Sequence, residues 1–449
     1  MFDTRWLYRA GALSCAAATL VACSSGTDSA ESTQSAESAP ASEAPSEPVA
    51  EPLVATYDGG LYVLDGETLE VAQDIPLDGF LRVNPAGDEA HVLVTTDEGF
   101  RILDAAGGEM TDDTFAASDP GHVVVHGENT VLFADGSGEI TAFDPHALEE
   151  GGLPDGRTFS TPEPHHGVAV ILSDGTLVHS LGNPDSRTGA VAMQGDREIA
   201  RSEDCPGIHG EAVAADEVVV LGCENGVLTF ADGSFTKIPS PTPYGRSGNV
   251  RGHDDSPVVL ADMKVDPDAE MERPNQFALI DTTTDQMQIV QLPESVSYWF
   301  RSLGRGPRGE ALILGTDGKL YVFDQVTGDQ IQAIDIMEPW TEPDDWQAGG
   351  PAVFTREDAV YVSDPATRQI HLVDLQSGTV SASRTLEQAP NELSGAVPSQ
   401  LGKLSVLQLF YLRENHLNGS LPTELFPNMT ALRYIMFQEN EISGALPSE

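Results

Sequence analysis

The chain reads as an all-β protein: a β-propeller of about eight four-stranded blades, with seven as the alternative count, followed by a short leucine-rich-repeat-like tail. Three observations predict it. From residue 53 to about 386, short segments rich in Val, Ile, Leu and aromatics alternate with Asp-Gly, Thr-Gly and Ser-Gly turns, without a convincing helix. The unit recurs about every 40 residues, the length of a four-stranded blade. Incomplete units stand at both ends of this region, which a ring explains and a row of β-sandwiches does not.

Taken in order, the chain opens with Arg5 and Arg9 ahead of an apolar run over 10–22 that is too short to span a bilayer as a mature helix. Small residues then precede Cys23, as in the lipobox of bacterial lipoproteins, where the Cys is lipidated and becomes the new N-terminus. Residues 1–22 are therefore expected to be a lipoprotein signal peptide, with Cys23 lipidated and the protein extracytoplasmic, anchored to the bacterial cell membrane (periplasm or cell surface). Segment 23–51 is Ser, Ala, Glu and Pro. It lacks the apolar surface to fold and reads as a disordered acidic tether.

The propeller is expected over 52–392. Hairpins are plain at 61–71, 320–331 and 370–380, each with an Asp near a strand end followed by a tight turn. Units start near residues 79, 119, 164, 205, 248, 298 and 345. The segment 53–78 holds only the later strands of a blade, so its innermost strand is expected from the other end of the domain, near 389–396. That closure leaves no open sheet edge. The tail over 393–449 follows another grammar, with a leucine-rich period of about 24 residues. Two repeats and a fragment are too few for a stable solenoid, which favours a fused fragment over a recognition module.

The net charge is −48, from 71 acidic and 23 basic side chains. Nucleic acid and anionic headgroups need clustered cations, so they are poor partners. The acidity is spread along the whole chain and reads as a solvated surface. Setting aside Cys15 in the signal and Cys23, the cysteines left are Cys205 and Cys223. An isolated pair in an oxidising compartment suits a disulfide, with a zinc–thiolate site as the alternative.

Histidine returns at the same phase of four successive units: His122, His166, His209 and His253. In a ring, equivalent positions converge on the axis, and three or four neutral imidazoles suffice for a tetrahedral zinc. His126, His165 and Glu211 are the neighbours expected to replace one ligand or to support it. His122 and His126, four apart on one strand, are expected to face the same side.

The segments Asp119-Pro-Gly-His122, His165-His166-Gly-Val, Cys205-Pro-Gly-Ile-His209-Gly-Glu211 and Val250-Arg-Gly-His253, with the terminal Pro390-Asn-Glu, resemble the AztD family of periplasmic zinc metallochaperones. The resemblance covers roughly residues 53–395. It implies a β-propeller that binds zinc on those histidines and delivers it to the solute-binding protein of a zinc ABC transporter. It also implies a disulfide between Cys205 and Cys223. One departure is that the tether has no His before His91, so delivery through an N-terminal histidine arm is in doubt. The alternatives are a propeller enzyme, either a metal-dependent hydrolase with Glu211 as general base or a dehydrogenase, and a non-metal protein-binding propeller. The sequence carries no Gly-x-Ser-x-Gly elbow, no His-Glu-x-x-His and no Gly-rich phosphate loop, and the expectation is that it is not an enzyme.

Overall fold

Each Gly-containing turn returns the chain beside the strand it has just left, so consecutive apolar segments pair antiparallel. The computed structural model describes residues 51–389, apart from Glu89, Glu270, Trp346, Glu357 and Asp358, together with Pro48, Val49 and five short strands beyond residue 393. Residues 1–22, expected as a signal peptide, together with Cys23 and most of the expected tether, lie outside the described residues. Eight antiparallel sheets follow one another along the chain. Blade 1 holds Pro52–Tyr57, Gly60–Asp65 and Val71–Pro76. Blades 2 to 8 open with Arg82–Pro85, Pro120–His126, Ala169–Ile171, Glu211–Ala214, Val250–Arg251, Leu303–Arg305 and Val353–Arg356. Three further strands follow each of these in sequence order. Blade 5 adds a short strand, Gly245–Arg246, paired in parallel at Asn225. Among the described residues no helix is long and apolar enough to cross a membrane.

The core lies between blades. Leu93 and Phe100 of blade 2 pack with Leu132 and Phe143 of blade 3, and the same pairing of neighbours continues around the molecule. The closing interface joins the two ends: Leu53, Tyr57, Tyr62, Leu64 and Leu69 of blade 1 bury against Tyr361, Ile370 and Leu386 of blade 8. Arg356 donates to the carbonyl oxygens of Pro52 (2.8 Å) and Glu51 (2.7 Å), and the Tyr361 hydroxyl donates to that of Gly66 (2.9 Å). The ring therefore has eight blades.

Two boundaries differ from expectation. The tether ends earlier than residue 51, because Val49 is buried against Leu61, Leu81 and Leu103 and donates its N–H to Ala106. The innermost strand of blade 1, expected near 389–396, is instead Pro52–Tyr57, which stands first in its sheet and lines the centre of the ring; of the expected segment, 390–393 lie outside the described residues. Ser394 and Gly395 pair in parallel with His416 and Leu417 instead, so they belong with the tail. Its other strands also pair in parallel, Leu409–Tyr411 with Tyr434–Met436 and His416–Ser420 with Glu441–Ser443.

The closing seam predicts its own sensitivity. Leu64 is fully buried there, and Leu64→Ala is expected to cost about 2–5 kcal/mol. Tyr361→Phe, which removes a buried donor, is expected to cost about 1 kcal/mol. Urea unfolding followed by near-UV circular dichroism checks both. A loss confined to blades 1 and 8, seen as a separate early transition, would mean that the seam does not hold the ring together.

Candidate metal centre

The first strands of blades 2, 3 and 5 to 8 line a central cavity of about 2040 Å³, with His166 standing there for blade 4 and strand Pro52–Tyr57 for blade 1. Three histidines meet on one side of that cavity. His122 lies on the first strand of blade 3, His166 three residues before that of blade 4, and His209 two before that of blade 5. Their ring centroids stand 5.1–5.3 Å apart, and one ligating nitrogen from each lies within 4.8 Å of the others. Nitrogens on one tetrahedral zinc stand about 3.4 Å apart, so a small inward rotation of the rings brings them to bonding distance.

Each ring is oriented through its Nδ1. His122 Nδ1 lies 3.3 Å from Glu211 Oε1 and 3.1 Å from its Oε2. His166 Nδ1 donates to Asp135 Oδ2 at 2.5 Å, and His209 Nδ1 to the Gly248 carbonyl at 2.5 Å. An oxygen acceptor at Nδ1 fixes the proton there and leaves the Nε2 lone pair for a metal. Burial, and then the charge of His122, push the His209 imidazole well below its ordinary value, so His209 is held neutral.

Local backbone makes this arrangement fit. A Cβ on Gly121 would stand 2.3 Å from Asp135 Oδ1, so the glycine before His122 makes room for the carboxylate that orients His166. Asp135 also accepts from the Gly167 N–H at 3.2 Å, tying blade 3 to blade 4. Gly210, at φ +75°, brings the chain against Gly248, where a Cβ would meet the Gly248 oxygen at 2.5 Å. Cys205 and Cys223 form a disulfide (Cα–Cα 4.9 Å). It pins the segment leading to His209, whose own N–H donates to the carbonyl of Gly222, the neighbour of Cys223.

The other expected residues divide. Glu211 stands at the site, as the partner of His122. His253 is not in the cluster: it follows the first strand of blade 6, Val250–Arg251, whereas the other three histidines precede or occupy theirs. The apolar run that follows His253, Val258–Asp262, is the second strand of that blade and not the first. His253 Nδ1 accepts from the Asp255 N–H, and the residue lines a neighbouring cavity of about 510 Å³ with Arg305. Where an imidazole was expected from blade 6, the structure offers the Gly248 carbonyl. His165 is buried, with Nδ1 on the Glu163 carbonyl and Nε2 on Ser180 Oγ, so both nitrogens are used. His126 contacts Glu217 at 2.9 Å and does not join the cluster: four residues further along the same strand it stands roughly 13 Å from His122. Asp135 and Gly248 were missed from sequence. Asp135 sits in an Asp-Gly turn after Asn129–Ala134, where an Asp reads as a turn former.

No family model matches the chain. Over 278 residues it is 25% identical to the zinc chaperone AztD of Citrobacter koseri, covering 60% of this chain and 64% of that protein. The match thus spans a little under two thirds of that curated relative's length. The structure is similar to that of apo AztD from Citrobacter koseri and to a second crystal structure of the same protein. In both the TM-score is 0.64 at 20% identity, over 76% of this chain and 95% of the solved one. Likeness at that identity carries the fold.

The disulfide yields a prediction. Replacing Cys205 and Cys223 by Ser is expected to lower unfolding stability by about 2–4 kcal/mol, measured by chemical denaturation. Thiol titration of the unfolded, unreduced protein lacking residues 1–23 is expected to find almost no free thiol.

Proposed function

We propose that this protein is an extracytoplasmic zinc-binding metallochaperone that delivers its zinc to the solute-binding protein of a zinc ABC transporter. The observation that carries the reading is the cluster of His122, His166 and His209, each with Nδ1 engaged by an oxygen and Nε2 left for a metal. Soft-to-borderline imidazole donors suit zinc, and Mg²⁺ or Ca²⁺ would demand oxygen ligands. The likeness to a zinc chaperone supports the same metal and the same role.

Zinc here is cargo. Three protein ligands hold it, and a fourth position stays open to the cavity. An incoming ligand from an acceptor occupies that position first and then displaces the histidines one at a time, so the metal is never free. Glu211 and Asp135 keep the rings aimed while this happens. Glu211, turned toward His122, acts as an orienting group, and no general-base role is assigned to it. Lipid attachment at Cys23 holds the donor at the membrane that carries the transporter, and the tether lets it reach.

Elemental analysis is expected to find one zinc per chain. Glu211→Gln and Asp135→Ala are expected to weaken zinc binding by roughly 10–100-fold, the usual cost of losing an orienting partner. His122→Ala, His166→Ala and His209→Ala are expected to cost more, whereas His165→Gln and His253→Ala leave the stoichiometry unchanged. Affinity falls as pH is lowered, because protons compete for the imidazoles. Unchanged zinc content in His166→Ala would overturn the site. For hand-over, transfer to a zinc-transporter solute-binding protein is measured with and without a chelator that scavenges free zinc. Delivery that survives the chelator supports the chaperone, and delivery abolished by it reduces the protein to a zinc store.

A further inference from the structure

The cavity carries a second chemistry beside its histidines. With acidic side chains outnumbering basic ones by 71 to 23, every guanidinium has carboxylates to choose from, and pairing is the cheap arrangement. Most arginines around the cavity are engaged. Arg305 donates to the carbonyls of Gly309, Arg251 and Val258 and to Ser256 and Gln325. Arg356 holds the blade 8–blade 1 seam, and Arg246 contacts Glu224 at 3.4 Å.

Arg82, on the first strand of blade 2, and Arg301, just before that of blade 7, are different. Both line the same cavity. Among the described residues neither makes a hydrogen bond or an ion pair. Arg301 is instead held by its flat face, its guanidinium carbon 5.3 Å from the Trp299 ring centroid and 5.0 Å from that of Phe300. Stacking uses the π-face and leaves the N–H edges free. Burial, and then the charge of Arg82, pull Arg301 down to about 10, so the two cations feel each other. Arg82 also feels the carboxylates of Glu211 and Asp135 without touching either. Those carboxylates are taken up by His122 and His166, so an anion between the two guanidinium groups supplies the direct contacts that both lack.

We propose that Arg82 and Arg301 form a binding site for a small oxyanion, a carboxylate or a phosphate, gripped by the edges of the two guanidinium forks. The site shares the cavity with the histidine cluster but does not depend on zinc. Planar forks match the paired oxygens of both anion classes. The rest of the molecule repels anions, so binding rests on this local pair.

The test is calorimetric titration of the metal-free protein, and of metal-free His166→Ala, with inorganic phosphate in one arm and citrate in the other. Ionic strength is matched throughout with chloride. Saturable binding of either anion in both proteins is expected, and the arm that binds names the class. In Arg82→Gln/Arg301→Gln, Kd is expected to rise about tenfold or more, equivalent to losing at least one charge-assisted contact. If that variant does not fold by circular dichroism, Arg82→Lys/Arg301→Lys carries the test. It keeps the charge and removes the fork, and the same loss is expected. Neither anion binding above the chloride background, or affinity unchanged in the folded variant, overturns the proposal. Because His166→Ala is tested without metal, a failed zinc reading leaves this result intact.

Discussion

Everything at the centre of this molecule depends on closing a ring. Eight hydrophobic clusters each join one blade to the next, and the one that joins blade 8 to blade 1 turns a row of sheets into a circle. Its residues lie about three hundred positions apart in sequence, so no local preference selects the contact. Once closed, each blade's first strand has a fixed place on the wall of the cavity. His122, His166 and His209 come from three blades and are far apart in sequence, yet their rings meet. Their convergence follows from the ring, and the seam at Tyr361 and Gly66 supports a site it never touches.

The architecture was legible because it repeats. Asp-Gly turns and alternating apolar runs place the units within a few residues of the observed blades. The same repetition exposed three of the cluster's histidines. It misled at His253, because a phase counted against the nearest apolar run assumes that this run is the first strand. In blade 6 the first strand is only Val250–Arg251, two residues with no apolar signature to announce them. Asp135 was illegible for another reason. Its role arises between blades, from a glycine at position 121 that leaves it room, and a turn former carries no mark of a partner 31 residues away.

The charge distribution shows a division that composition hides. The outer surface carries a large negative excess, which concentrates divalent cations near the protein over about a Debye length, roughly 8–10 Å in physiological salt. Inside, going around the wall, blades 3 to 5 present imidazoles and their carboxylate partners. Blades 6, 7 and 2 present Arg251, Arg301 and Arg82. Arg82 and Arg251 also lie within electrostatic reach of Glu211, so basic and acidic groups of the wall meet beside the histidines.

That division bears on how a site can be both selective and willing to let go. A zinc held by four protein ligands leaves only when a bond breaks first, which makes release slow. On the proposed zinc reading, three imidazoles and an open corner would let bond-making precede bond-breaking, and the barrier would fall accordingly. Rigid orientation through Nδ1 gives selectivity without a fourth bond, since each ring offers a nitrogen lone pair already aimed. The blade 6 position that an added histidine would occupy is filled by the Gly248 carbonyl, and that oxygen is already committed to His209. On that reading the ring uses one blade to orient a ligand instead of supplying one, and the coordination shell would be left incomplete on the side that faces the cavity.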